Sequence, residues 1–128
     1  MIIMTDKRVL RANGEADYDY ESDILFFKVK NREYETSLDM GRFSVDFDTE
    51  KYVVGIQIFD ASEFFGVSKI LLRSIKKWGL QIDVAENKLE IRLMFQIVLR
   101  NKVIEKNPII IESLRTRVPD SKVMCAVK

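Results

Sequence analysis

A chain of 128 residues, 47% of them hydrophobic, is long enough for one compact domain with its own core and too short for two of ordinary size. It has no histidine and one cysteine, which removes the commonest general base, the Ser-His and Cys-His nucleophile pairs, any intrachain disulfide and any multi-thiolate metal site. The net charge of +1 conceals a division: residues 1–64 carry 8 Lys and Arg against 14 Asp and Glu, and residues 65–128 carry 13 against 6.

Such a split fits intramolecular complementarity, head-to-tail association or a basic face for an anionic partner, the simplest account being charges that solvate the outward faces of two sheets. Lys88 and Arg92 punctuate even the apolar stretch Leu89 to Leu99, so no run approaches the roughly 18 apolar residues of a membrane span. The opening residues Met1 to Asp6 lack the basic region and apolar core of a secretory signal. A cytoplasmic protein is expected. Cys125, within Val123 to Val127, reads as a small buried hydrophobe.

In chain order, Lys7 to Ala12 is a candidate first strand, pairing through a turn at Asp19 to Ser22. Leu25, Phe27 and Val29 share one face of a clear strand, and Tyr34, Thr36 and Leu38 mark another across the turn at Lys30 to Arg32. Phe43, Val45 and Phe47 alternate with Ser44, Asp46 and Asp48, and Tyr52, Val54, Ile56 and Ile58 line the return strand. A helix is predicted over about 62–77, with Phe64, Val67, Leu71, Ile75 and Trp78 as its apolar stripe. Asp60 and Glu63 have the form of a capping box, and Gly79 fits the stop. Gly66 offers a different outcome, a short turn ending near Phe65 and a second helix capped by Ser68.

Beyond Gly79 the period is two again: Leu80, Ile82 and Val84, a turn at Ala85 to Lys88, then six apolar positions from Leu89 to Leu99. A turn near Asn101 and Lys102 leads to Val103 to Glu105, and Ile109 to Leu114 and Lys122 to Val127 complete the strands, joined by a turn at Pro119 and Asp120. The fold class expected is α+β: antiparallel strand meanders flanking one central helix packed on the sheet, within a single integrated domain spanning residues 1–128. Residues 24–27, 53–59, 109–111 and 123–127 are apolar on both strand faces, more than one helix covers. Either the two strand groups stack, or a second copy supplies the cover; a homodimer is the expectation.

The segments Tyr18-Asp19-Tyr20-Glu21-Ser22-Asp23-Ile24-Leu25, Asp46-Phe47-Asp48 and Gly55-Ile56-Gln57-Ile58, with Ala61-Ser62 beyond, resemble a family of small prokaryotic domains of unknown function. That family reads Tyr-Asp-x-Glu-x-Asp-x-Leu, then Asp-x-Asp, then Gly-Ile-Glu-Ile and Ala-Ser. The resemblance covers about residues 18–65, the β-meander, and leaves 79–128 as a β-rich C-terminal extension. Gln57 stands where the family has glutamate. The resemblance implies a fold and, because such domains sometimes belong to paired toxin and antitoxin arrangements, an antitoxin-like, partner-neutralising role.

Asp19, Glu21 and Asp23, and again Asp46, Asp48 and Glu50, recur at every second residue, as ligands of a calcium loop do. Where that loop needs glycine stand Ser22 and Lys51, and where it needs glutamate stand Lys28 and Gln57. Acids at hairpin tips that accept bonds from unpaired backbone N–H groups account for the pattern without a metal. Asp46 and Asp48 on an exposed strand face lack the burial or crowding that a catalytic carboxyl pair needs. Glycines stand singly, so no phosphate loop is formed, and Gly55 reads as a bulge or close backbone approach. No catalytic residue or cofactor is assigned, and enzyme activity is not favoured. Arg73, Lys76 and Lys77 on the helix flank, with Arg115 and Arg117 at a late turn, are the candidates for nucleic acid. A self-associating binding protein is the leading expectation, with nucleic-acid binding and divalent-cation binding as alternatives.

Overall fold

The computed structural model describes residues 8–75 and 77–127. Among these residues ten strands and two short helices follow in the order β1 (Arg8–Asp19), β2 (Ile24–Val29), β3 (Tyr34–Asp39), β4 (Phe43–Asp48), β5 (Val53–Ile58), α1 (Ala61–Phe65) and α2 (Lys69–Ser74). The chain then runs through β6 (Trp78–Ala85), β7 (Lys88–Leu99), β8 (Lys102–Lys106), β9 (Ile109–Ser113) and β10 (Ser121–Val127). The protein is therefore mostly β, and the expected α+β fold with one central helix over about 62–77 is overturned.

The break is local. Gly66 ends α1 in the left-handed region at φ 64, and its N–H donates to the Glu63 carbonyl. Ser68 is extended (φ −64, ψ 153) and opens α2, its hydroxyl accepting from Leu71 N–H at 3.3 Å. An extended residue cannot continue a helix, so the apolar stripe is divided between two pieces of about one turn each. The expected capping box also fails: Asp60 lies in the left-handed region with no side-chain cap bond.

The strands form one sheet in the order β3-β4-β5-β2-β1-β10-β6-β7-β8, with β9 on the same edge of β7 as β8. Hairpin pairing explains most of this, since two-residue turns with positive φ at both positions, Glu86–Asn87 and Arg100–Asn101, match the twist of the strands they join. Outside the hairpins, β2 pairs β5, β10 pairs β6, β9 pairs β7, and β1 pairs two strands in opposite senses. Its residues Gly14–Asp19 pair antiparallel with β2, while Arg8–Asn13 pair in parallel with β10. The expected first strand thus extends to Asp19, and residues 14–19 make its hairpin contact; Lys7, its expected start, lies outside the described residues.

Even-numbered residues of β1 face inward along its whole length, which makes the inner surface continuous between the two halves of the sheet. Leu10, Val123, Ile82, Ile91 and Ile110 form one cross-strand row. Buried apolar residues of both halves belong to a single cluster. At its centre Trp78 meets Phe27 edge-on at 5.0 Å and Phe95 at 4.6 Å, and Phe65 of α1 stands over Phe95 at 5.4 Å. Burying each of these rings contributes on the order of 2–3 kcal/mol. Gly55 is a close approach of the predicted kind: a Cβ there would lie 2.6 Å from Asp46 Oδ2.

Candidate binding surface on the outer sheet face

Each acidic tip is organised by protein donors. At the β1–β2 tip, Asp19 accepts from the N–H groups of Glu21 (3.1 Å) and Ser22 (3.3 Å), and the bonds from Ser22, then Glu21, hold its carboxyl below the usual range. Glu21 is exposed. Asp23 is buried and reaches across the fold: Oδ1 accepts from Tyr18 OH (2.6 Å) and Ser62 N–H (3.0 Å), and Oδ2 accepts from Ser62 Oγ (2.5 Å). Its own carbonyl accepts from Ala61 N–H at 2.9 Å. Asp23 therefore occupies the capping role expected of Asp60. Burial acts to raise its carboxyl, and the bonds from Ser62 and Tyr18 outweigh that and lower it.

At the β4–β5 tip, Asp48 is 1% exposed, against the expected exposed face, and accepts from Glu50 N–H (3.0 Å) and Tyr52 N–H (2.9 Å). Arg32 closes over the same carboxylate, with Nε 2.8 Å from Oδ2, and also pairs with Glu50. Asp46 takes the Ser37 hydroxyl at 2.6 Å. The five carboxylates considered for a metal thus belong to two separate hairpins. Among the described residues no group of three or more His, Cys, Asp or Glu side chains is placed to hold a metal ion.

The basic candidates are also divided. Arg73 of α2 stacks on Tyr20 at 4.7 Å, and Lys77 is exposed just before β6. Arg115 and Arg117 are exposed in the β9–β10 loop, beside the turn at the far end of β6. The eight residues of β6 separate the two pairs by about 26 Å. Lys76 lies outside the described residues.

What the structure assembles instead is the outer face of β1, β10, β6, β7 and β9. Register aligns Arg11, Met124, Gln81, Arg92 and Ile109 in one row, with Asn13, Ala126, Gly79 and Met94 in the next. Gly79 and Ala126 are neighbours with almost no side chain, so the middle of the second row is a depression, part of a groove of about 740 Å³. Arg11 and Arg92 bound it, their backbones three strand spacings or about 14 Å apart. Toward the edge, Met94, Val98, Val103, Ile109 and Ile111 are exposed; Val98 and Val103, opposite one another, are 64% and 63% exposed. Glu90, Asp83 and Lys122 lie one row away, with Lys122 3.9 Å from Asp83. Sequence reasoning missed this surface because five strands build it, although Met94 and Val98 at the polar positions of β7 were a visible signal.

The family model described as "Protein of unknown function (DUF2283)" matches residues 16–62, and the chain belongs to that family. A Methanosarcina mazei protein named "Putative hypoxanthine phosphoribosyltransferase" is 33% identical over 90 residues, 70% of this chain and 73% of that protein. An uncharacterized protein of Methanocaldococcus jannaschii is 30% identical over 95 residues, 73% of this chain and 82% of that one. No solved structure matches the chain. Among the described residues, no helix is long and apolar enough to cross a membrane.

Proposed function

We propose that this is a cytoplasmic binding protein that self-associates through the outer face of its C-terminal strands, as a two-fold dimer. One observation carries the reading: among the described residues, six of the ten exposed large hydrophobic ones, Val9, Met94, Val98, Val103, Ile109 and Ile111, point from that single face. Apolar side chains gathered on one face, with Ile109, Ile111 and Met94 in neighbouring rows at its edge, mark an interaction site. The polar residues between them are of both signs, Arg11, Arg92 and Lys122 with Asp83 and Glu90, which suits a surface that meets its own copy.

The nucleic-acid reading has less support, since its described candidate cations lie at opposite ends of β6. The Methanosarcina relative's name raises phosphoribosyl transfer; glycines that stand singly form no loop for a pyrophosphate, and that activity is not carried over. Size-exclusion chromatography with light scattering tests the dimer. The wild type is expected at twice the chain mass at micromolar concentration. Val98→Glu with Val103→Glu, both exposed in the single chain, is expected to weaken association by roughly tenfold or more with little change in fold. A wild type that elutes as a monomer across that range overturns the reading.

A further inference from the structure

Strands β8 and β9 are two lengths of one edge strand. They keep a single register against β7, from Leu99 opposite Lys102 to Lys88 opposite Ser113, and between them Leu93 N–H donates to the Pro108 carbonyl at 3.0 Å. Leu93 and Pro108 stand directly opposite, so from 102 to 113 the even-numbered residues turn their backbone groups toward β7 and the odd-numbered ones turn theirs away. Val103, Glu105, Asn107, Ile109 and Ile111 therefore offer N–H and C=O along the outer edge. Pro108 does not interrupt it, because its missing N–H belongs to the β7 side. The same five residues are exposed, Ile109 and Ile111 by 54% and 58%, so among the described residues nothing covers this edge. A long apolar edge of this kind is a template for another strand.

We propose that this edge pairs antiparallel with the same edge of a second copy, about a two-fold axis at Asn107. The residues of the edge select both partner and register. Centred on Asn107, Lys102 meets Glu112, Val103 meets Ile111 and Ile104 meets Ile110, each twice, and about ten backbone bonds form. Lys102 and Glu112 are exposed, and neither has an ion pair among the described residues. Arg100, two residues before Lys102, adds a second cation beside Glu112, and the chain leaves β9 at Ser113, before Arg115. Lys106 stands opposite Pro108 and diagonal to its own copy, about 8 Å away, where salt screens the repulsion. Other registers fit less well. A centre at Lys106 sets that lysine against itself, a centre at Pro108 sets Glu112 against Ile104, and a centre at Ile109 carries Val103 past the end of β9. The contact goes beyond the face-to-face pair proposed above and does not depend on it: its axis is perpendicular to the sheet, whereas the axis between two stacked faces is parallel to it. An edge buries less apolar surface than a face, so it is the weaker contact and joins copies as the concentration rises.

Residues paired across this axis stand about 5.5 Å apart between Cα atoms, within reach of a disulfide. Asn107→Cys is expected to give a covalent dimer under mild copper-catalysed oxidation at concentrations well above micromolar. Ile111→Cys, about 27 Å from its own copy in this register, is expected to give at least tenfold less, and an equal mixture of Val103→Cys and Ile111→Cys to restore it. Cys125 is buried and takes no part. In the wild type, the amides of the five odd-numbered residues are expected to gain at least tenfold protection from exchange over the same concentration range, a signal that a face-to-face pair does not give. Met94→Glu with Val98→Glu breaks the face contact and is expected to leave both readouts in place, so the two contacts fail separately. No covalent dimer from Asn107→Cys, equal yields from Asn107→Cys and Ile111→Cys, or odd-numbered amides that exchange at one rate at every concentration overturns the proposal; the last needs no variant to fold.

Discussion

Asp23 joins the β1–β2 tip to the start of α1 through bonds from residues 5 positions before it and 39 after it. A buried carboxylate with three donors is strongly committed, and Asp23→Ala is expected to cost about 3 kcal/mol, read from urea unfolding. The same bonds set a pH dependence. The Asp23 carboxyl is lowered in the fold, so its contribution is present above the unfolded pKa and lost as pH falls through the folded value. The stability gap between wild type and Asp23→Asn should therefore hold constant above about pH 5 and close below about pH 4. Burial, then the bond to Asp23, raises the Tyr18 hydroxyl well above the tyrosine range; that contribution is complete below about pH 10 and declines above it. Sequence proximity pointed to Asp60 as the cap. A partner 39 residues away leaves no local pattern, which is why the correct acid was legible as a turn residue but not as a cap.

At the scale of elements, the strands were legible because alternation is a physical demand of a half-buried sheet, met by Leu25, Phe27 and Val29 and by the alternate positions of β7. The helix was misjudged because Phe64, Val67, Leu71 and Ile75 serve the same core whether the backbone between them is continuous or broken. Gly66 and Ser68 carried the distinction, and their conformations depend on neighbours outside the window. Turns do more than connect. Asn87, in the β6–β7 turn at φ 62, accepts Val118 N–H on its side chain (2.9 Å) and Leu114 N–H on its carbonyl (2.8 Å), tying down the β9–β10 loop. Asn87→Gly retains the turn geometry and loses both side-chain bonds, the one from Val118 N–H and the one its amide donates to the Leu114 carbonyl. It is expected to cost about 1 kcal/mol and raise amide exchange at Val118, whereas Asn87→Ala adds backbone strain and costs about 2 kcal/mol.

For the whole molecule, β1 serves both halves of the sheet and the described buried apolar residues form one cluster. Unfolding is expected as one transition, with calorimetric and van't Hoff enthalpies equal; two resolved transitions would separate residues 18–65 from 79–128. The opposite net charges of the halves were plain in the sequence, and their arrangement was not. The outer face arises from which strands lie beside which. Pairing of β1 with β10 has no signature in either strand, because no turn links them and the register is set only once the intervening elements are in place.

That pairing has a consequence for the nascent chain. The β1–β2, β3–β4 and β4–β5 hairpins form soon after synthesis, while Arg8 to Asn13 wait for a partner made more than one hundred residues later. Until then they present unpaired backbone, which the β10 of any other copy fits as well as their own. The order in which this sheet is built makes exchange of β10 between molecules the natural error of its folding, favoured by crowded synthesis and suppressed by dilution.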